Sequence, residues 1–393
     1  MISAPVVSDR EGELRRWDRR LLLGLLLVML VVASPWIVWQ LTARRPVALA
    51  VMDKTVAHEN WQEHEALFWW MNHDHWRPDS QPDWRARRDY VGYDPVARLG
   101  TILTDSALAG KRLLYVADAY GVYSGDYADT TRARAAGDTS AVEHSQKLFG
   151  GVTLAEAQAM DRFAARGGSI VAEFNTLESP TSGTAAAPIV ERLVGAVYLG
   201  WLGRWYKDLA STDEVPRWMR DRFARKYQAA WDFRGPGIVL FNESSDAIAV
   251  VEEAHLTDRY PVTIEIVKPG DPLVRGAMSG RPYWYWFSGV TPASNGVVLA
   301  NYQLHVDSVG KQRLAAQGFP VTFPAIVRTT GPTLGAYLAG DFADVGGEMP
   351  RYQRTAMLDW WRRLESRLTS RPGQPFDVYW NVVVRVWGNM LNY

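Results

Sequence analysis

The sequence predicts an α/β protein built from one N-terminal transmembrane helix, a domain with an open parallel sheet, and a strand-rich C-terminal part. Three observations predict it. Residues 21–42 form an uncharged apolar run. Residues 112–174 follow the order strand, helix, strand, which is the pattern of a parallel pair joined by a crossover. Residues 237–304 contain a succession of short apolar segments of strand length.

The apolar run LLLGLLLVMLVVASPWIVWQLT would rise about 33 Å as a helix, against a hydrocarbon core of about 30 Å. Arg10, Arg15, Arg16, Arg19 and Arg20 precede it, and Arg44, Arg45 and Lys54 follow. The positive-inside rule therefore puts residues 1–20 in the cytoplasm and residues 43–393 outside the cell membrane, with a single span between them. Trp17, Trp36 and Trp39 stand where interfacial aromatic anchors are expected. Ala48-Leu49-Ala50 has the small residues of a signal-cleavage site. The apolar run is longer than the ~7–15 residues of a signal core, and Arg44-Arg45-Pro46 separates it from the cut, so an uncleaved signal anchor is expected.

The composition of the whole chain is close to that of a globular protein, 47% hydrophobic and 22% charged, which argues against a multi-span transporter. Lys plus Arg equal Asp plus Glu at 43 each, so no basic field draws nucleic acid, and none is expected as a partner. Cysteine is absent, which removes disulfides, thiolate metal sites and a Cys nucleophile.

Residues 43–100 are rich in Trp, His, Asp and Arg without a clean period, and are expected to be a membrane-proximal region with one helix near 60–72. The α/β domain is placed at 101–250. Arg112-Leu113-Leu114-Tyr115-Val116-Ala117-Asp118 is a short apolar run ending in a carboxylate, as in a buried parallel strand, and a loop follows to about Asp138. Thr153-Leu154-Ala155-Glu156 opens a helix with a capping box, and Gly167-Gly168 closes it. Ser169 to Phe174 is a second buried strand with Glu173 near its end, and a helix over about 185–195 follows. In the region 251–393, with its lead-in from 237, strands are expected at 237–242, 247–252, 260–267, 283–289 and 296–304. A helix is expected at 352–369, and the alternating run from Phe376 to Trp387 is expected to be a strand.

Ligands of open parallel sheets bind beyond the carboxyl ends of the strands, which is where Asp118 and Glu173 emerge. Asp118 leads into a loop with Tyr120, Tyr123 and Asp126, and Glu173 into one with Asn175. Aromatic faces stack on sugar rings while carboxylates and amides bind hydroxyls, so this rim suits a glycan. Two carboxylates about 5–10 Å apart could also hydrolyse a glycosidic bond, with Asp118 and Glu173 as the pair. The competing structural reading has Asp118 capping a turn and Glu173 paired with a buried Arg. In Gly200-Trp201-Leu202-Gly203-Arg204-Trp205, Trp201 and Arg204 are further candidate contacts, with packing as the alternative. Asp341 and Asp344 follow a strand-like run and belong either to the same rim or to a turn.

His58, His64, His73 and His75 are expected to be structural, since no H-E-x-x-H helix or supporting carboxylate gives them metal-ligand spacing. No metal and no cofactor is expected. The serine-hydrolase elbow, the P-loop and the dinucleotide fingerprint are all missing from the sequence.

The succession of strand, Asp118 loop, helix from 153, strand ending at Glu173 and helix resembles the start of the flavodoxin-like sheet of class I glutamine amidotransferase-like domains, over about residues 110–250. The resemblance implies a flavodoxin-like parallel sheet. That superfamily includes non-catalytic relatives, and its catalytic members use a Cys nucleophile, so a chain without Cys would be a non-glutaminase member. The functional expectation is a membrane-anchored extracytoplasmic domain that binds a cell-envelope glycan and, if catalytic, processes it. The alternative is a non-enzymatic scaffold or partner subunit of an envelope polysaccharide assembly or export complex, with a membrane-protein partner.

Overall fold

A computed structural model of the protein describes residues 8–78, 81–127, 145–345, 349, 353–358, 360–361, 364 and 375–392. The chain opens with α1 (Ser8–Leu41), β1 (Leu49–Asp53), α2 (Gln62–His73), β2 (Val91–Asp94) and β3 (Leu113–Asp118). It continues with α3 (Leu154–Ala165), β4 (Ser169–Glu173), α4 (Ala187–Val194), β5 (Ala196–Tyr206) and α5 (Arg217–Tyr227). The later part holds β6 (Gly237–Asn242), β7 (Ile248–Glu252), β8 (Val262–Ile266), β9 (Phe287–Pro292), β10 (Gly296–Leu304), α6 (Ser308–Ala316), β11 (Thr322–Thr329) and β12 (Gly335–Leu338).

These elements form a mixed α/β fold around one central mixed sheet. Five neighbours, β12, β4, β3, β1 and β2, run parallel. β8, β10 and β11 extend the sheet antiparallel from β12. A second, antiparallel sheet has the order β7-β6-β5-β9. The strands of the parallel part are continuous apolar runs because both faces are covered: β1 and β3 are buried at every position. The capping box of α3 is present as expected, with the Thr153 hydroxyl accepting from the Glu156 N–H. Close packing at the edge of α4 depends on Gly335, where an added Cβ would stand 1.8 Å from the Leu193 carbonyl oxygen. Gly335→Ala is expected to cost about 3 kcal/mol, checked by the denaturation midpoint of the full chain in detergent.

The strand, helix, strand unit at 113–173 and the strands at 237–242, 248–252, 262–266 and 296–304 lie where the sequence pattern puts them. The strand expected at 283–289 is found at Phe287–Pro292, and Thr322–Thr329 and Gly335–Leu338 are strands the pattern did not mark. Two expected elements are corrected. Leu49–Asp53 is not part of a membrane-proximal lead-in but a strand between β3 and β2, so residues 43–100 contribute to the sheet itself. The run ending near Trp387 is helical, as Pro375–Val378, a π-turn over Tyr379–Val383, and Val384–Leu391. The β-branched run Val382, Val383, Val384 and Val386 suggests a strand. Asp377, Asn381, Arg385 and Asn389, however, recur every four residues and form one partly exposed polar stripe, with the valines and Trp387 buried against the core. Half of the expected helix at 352–369, and the loop beyond Tyr127 as far as residue 144, lie outside the described residues.

Within α1, Arg19–Leu41 has mean hydropathy 2.7 and is long and apolar enough to cross a membrane, as a single span or a signal anchor. Trp36 is exposed, but Trp39 is not an interfacial anchor. Its ring is buried on the domain, 4.4 Å from the His75 ring, and its Nε1–H donates to the His73 carbonyl at 2.7 Å.

Candidate functional site

Because β1, β3, β4 and β12 are parallel, their carboxyl ends share one edge, and each delivers acidic side chains there. β1 ends in Asp53, which pairs in register with Asp118 at the end of β3. β4 ends in Glu173, and Asp341 and Asp344 follow β12. Glu63, in the first turn of α2, completes the group.

Electrostatics binds these residues into one cluster. Burial pushes Asp118 up to about 7, opposed by hydrogen bonds from Thr55 and Asn175 and reinforced by Asp53. Burial likewise pushes Glu173 up to about 8, with Asp118 adding to the effect. Glu63 and Asp341 are raised by burial and then by neighbouring carboxylates, each feeling both Asp344 and Asp118. Arg204 pulls the other way on Asp341 and Asp344.

The geometry at Asp118 is closed. One of its oxygens accepts from the Thr55 hydroxyl and from the Tyr120 N–H at 2.6 Å, and the other accepts from Asn175 Nδ2 at 2.8 Å. Asn175 holds its amide there from a left-handed backbone, φ 63°. Asp118 is 4% exposed and Glu173 2%, the latter accepting the Ala343 N–H at 3.2 Å. Glu173 therefore does not pair with a buried Arg; its close neighbours are the Ala343 backbone and Tyr115.

Outside this buried layer stands an aromatic rim. Tyr120 is 41% exposed and its ring centroid lies 4.9 Å from that of Tyr123. The Tyr123 N–H donates to Asp126 at 2.7 Å, which fixes the turn. Glu243 adds a carboxylate that the Tyr120 and Tyr123 hydroxyls both feel, and it accepts from the Tyr198 hydroxyl at 2.9 Å.

Asp118, Glu173, Tyr120, Tyr123, Asp126 and Asn175 are thus brought to one edge. The pair at 201 and 204 separates, because residues three apart on a strand face opposite ways. Trp201 is buried in the main core with its ring 5.8 Å from Phe319, so it is a packing residue, not a rim contact. Arg204 lies over Tyr206 and Trp286, 5.3 and 5.9 Å from their ring centroids, and acts on the rim through its charge.

Sequence reasoning missed Asp53, Glu63, Thr55 and Glu243. Asp53 carried the same signal as Asp118, a short apolar run ending in a carboxylate. His64 is held between Asp53 Oδ2 at 2.5 Å and the Ala86 carbonyl at 2.7 Å, fully buried, as a structural histidine. Among the described residues no three His, Asp or Glu side chains converge on a metal position.

The fold and this edge define a mixed α/β protein with one N-terminal helix able to span a membrane and a buried cluster of carboxylates beneath an aromatic rim. No family model matches the chain, and no curated protein matches it. Among solved structures it is similar to a ThuA-like protein of Bacteroides uniformis at 12% identity and TM-score 0.36, covering 85% of this chain and 97% of that one. It is also similar to PurLQS of Thermotoga maritima at 11% identity and TM-score 0.35, covering 89% and 99%. A β-galactosidase of Rahnella matches at 10% identity and TM-score 0.32, covering 83% of this chain and 32% of that one. Likenesses at these TM-scores carry no argument about fold or activity.

Proposed function

We propose that the chain is a single-span protein whose extracytoplasmic domain binds a cell-envelope glycan at the Tyr120–Tyr123 rim and leaves it uncleaved. The observation that carries this reading is the tyrosine pair, Tyr120 exposed and Tyr123 half-buried, set beside Asp126, Asn175 and Glu243, aromatic surface for a sugar with acceptors and donors for its hydroxyls. Cleavage by Asp118 and Glu173 is disfavoured by their surroundings. Both oxygens of Asp118 are already engaged by donors, and Glu173 is 2% exposed, so neither carboxyl group presents a free oxygen to a bond lying in the rim. The run of five parallel strands supports kinship with non-glutaminase members of the amidotransferase-like superfamily.

Full-length protein in detergent, titrated with envelope oligosaccharides and followed by tryptophan fluorescence and released reducing ends, is expected to show saturable binding without product. Tyr120→Ala and Tyr123→Ala should each weaken binding about tenfold, the size of a lost aromatic contact. Product that disappears in Glu173→Gln would restore the hydrolase reading. Absence of binding from a folded sample would favour the second reading, a scaffold subunit of an envelope polysaccharide complex. The docking of Trp39 on His73 and His75 supports that alternative, since it fixes the domain relative to its anchor as a partner subunit requires.

A further inference from the structure

We propose that the segment of residues 353–358, with Trp360 and Trp361, forms a second membrane contact, laying Met357, Trp360 and Trp361 into the interfacial zone of the bilayer where α1 emerges. This rests on reading α1 as a span. The segment is strapped across the helix end at both levels of the structure. The ring of His73 donates from Nδ1 to the Gln353 carbonyl at 2.6 Å, and Gln353 Nε2 donates to the Trp69 carbonyl at 2.7 Å, which ties the strap to α2. Three residues on, the Ala356 N–H donates to the Pro35 carbonyl at 3.0 Å, which ties it to α1 six residues before that helix ends.

That contact sets the depth. A strap carrying Arg354 cannot sit in hydrocarbon, so the strap and the outer turns of α1 beside it lie in the interfacial zone, where apolar and aromatic side chains are accommodated. The strap has such side chains. Trp360 is 49% and Trp361 42% exposed, with Met357 beside them, while Leu358 turns inward and is buried. The Trp361 N–H donates to the Met357 carbonyl at 2.9 Å, one turn of helix, and the two indole rings stand 4.7 Å apart. Exposed Trp36 on α1 lies one residue beyond the strap's attachment. Arg354 stands over the Trp39 ring at 5.9 Å and, with Arg44, adds positive charge around Arg77. Tryptophan with arginine at a helix end is the composition that settles at lipid headgroups.

The chain has no cysteine, so single-cysteine variants of the full-length protein can be labelled cleanly. We would carry an environment-sensitive fluorophore at Trp361→Cys, Met357→Cys, Leu27→Cys and Val96→Cys in liposomes containing lipids spin-labelled at shallow or deep positions. The expected result is deep quenching at position 27, shallow quenching with a blue-shifted emission at 357 and 361, and neither at 96. Quenching at 27 with water-like emission at 357 and 361 would overturn the second contact and leave the span intact. Water-like emission at position 27 would overturn the span, and the second contact with it.

Discussion

Lys54→Met is expected to destabilise the protein by about 3–5 kcal/mol, because it strands a buried carboxylate. Lys54 Nζ donates to Glu156 Oε2 at 2.6 Å and to the Gly151 carbonyl at 2.7 Å, and the two charged side chains are 1% and 0% exposed. Burial lowers the Lys54 pKa and the Glu156 charge works against that shift. Glu156 also accepts the Thr153 N–H at 2.9 Å and the Leu103 N–H at 3.0 Å, so one carboxylate closes the cap of α3 and ties it to the residue after β1. Removing the cation leaves those donors in place but the charge unpaired. The check is the guanidinium midpoint of full-length protein in detergent, where a loss below about 1 kcal/mol would show that the pair is not held in solution.

Glu173→Gln should stabilise the protein on the order of 3 kcal/mol at pH 8, and have little effect at pH 4. Glu173 has a folded pKa of about 8 against an ordinary value of 4.5. A carboxyl whose folded pKa is raised contributes its full stability below the unfolded value, and that contribution drains away as pH rises from about 4.5 through about 8. Glutamine keeps the neutral form at every pH and can still accept the Ala343 N–H. The gain should therefore grow across that window and then level off. Asp118 and Glu178, both raised to about 7 by burial, slope the same way, so the wild type itself should lose stability between about pH 5 and 8. Equal pH profiles for wild type and Glu173→Gln would mean that Glu173 is ionised in the folded protein.

The parts of the fold visible in the sequence are those whose local signals agree with their surroundings. Leu113–Asp118, Leu154–Ala165 and Ser169–Glu173 combine a clear period, a capping box and glycine stops, and they fold as those signals direct. Leu49–Asp53 has equal apolar character, but it lies just beyond the membrane run and resembles a cleavage site, so its role as a sheet strand was hidden. The helix ending at Leu391 was hidden by its β-branched valines, which favour a strand, although the polar stripe Asp377, Asn381, Arg385 and Asn389 carries the helical period. At the site, Asp118, Glu173 and Asn175 were legible because strand ends announce themselves. Glu63 and Glu243 reach the edge from a helix start and from an antiparallel sheet, which no spacing along the chain encodes. The parity of Trp201 and Arg204 was legible, yet which of them faces the core depends on the second sheet.

Helix α2 joins the two ends of the domain, with Glu63 among the clustered carboxylates and His73 against Trp39 of the anchor. Ten residues separate them, about 15 Å of rise. The helix therefore acts as a fixed spacer between the carboxylate cluster and the end of α1, and β1 runs to the same cluster from the α1 side. With α1 in a bilayer, as proposed above, the Tyr120–Tyr123 rim would stand on the aqueous side of this spacer, better placed for a polymer passing overhead than for a sugar still attached to a lipid beneath.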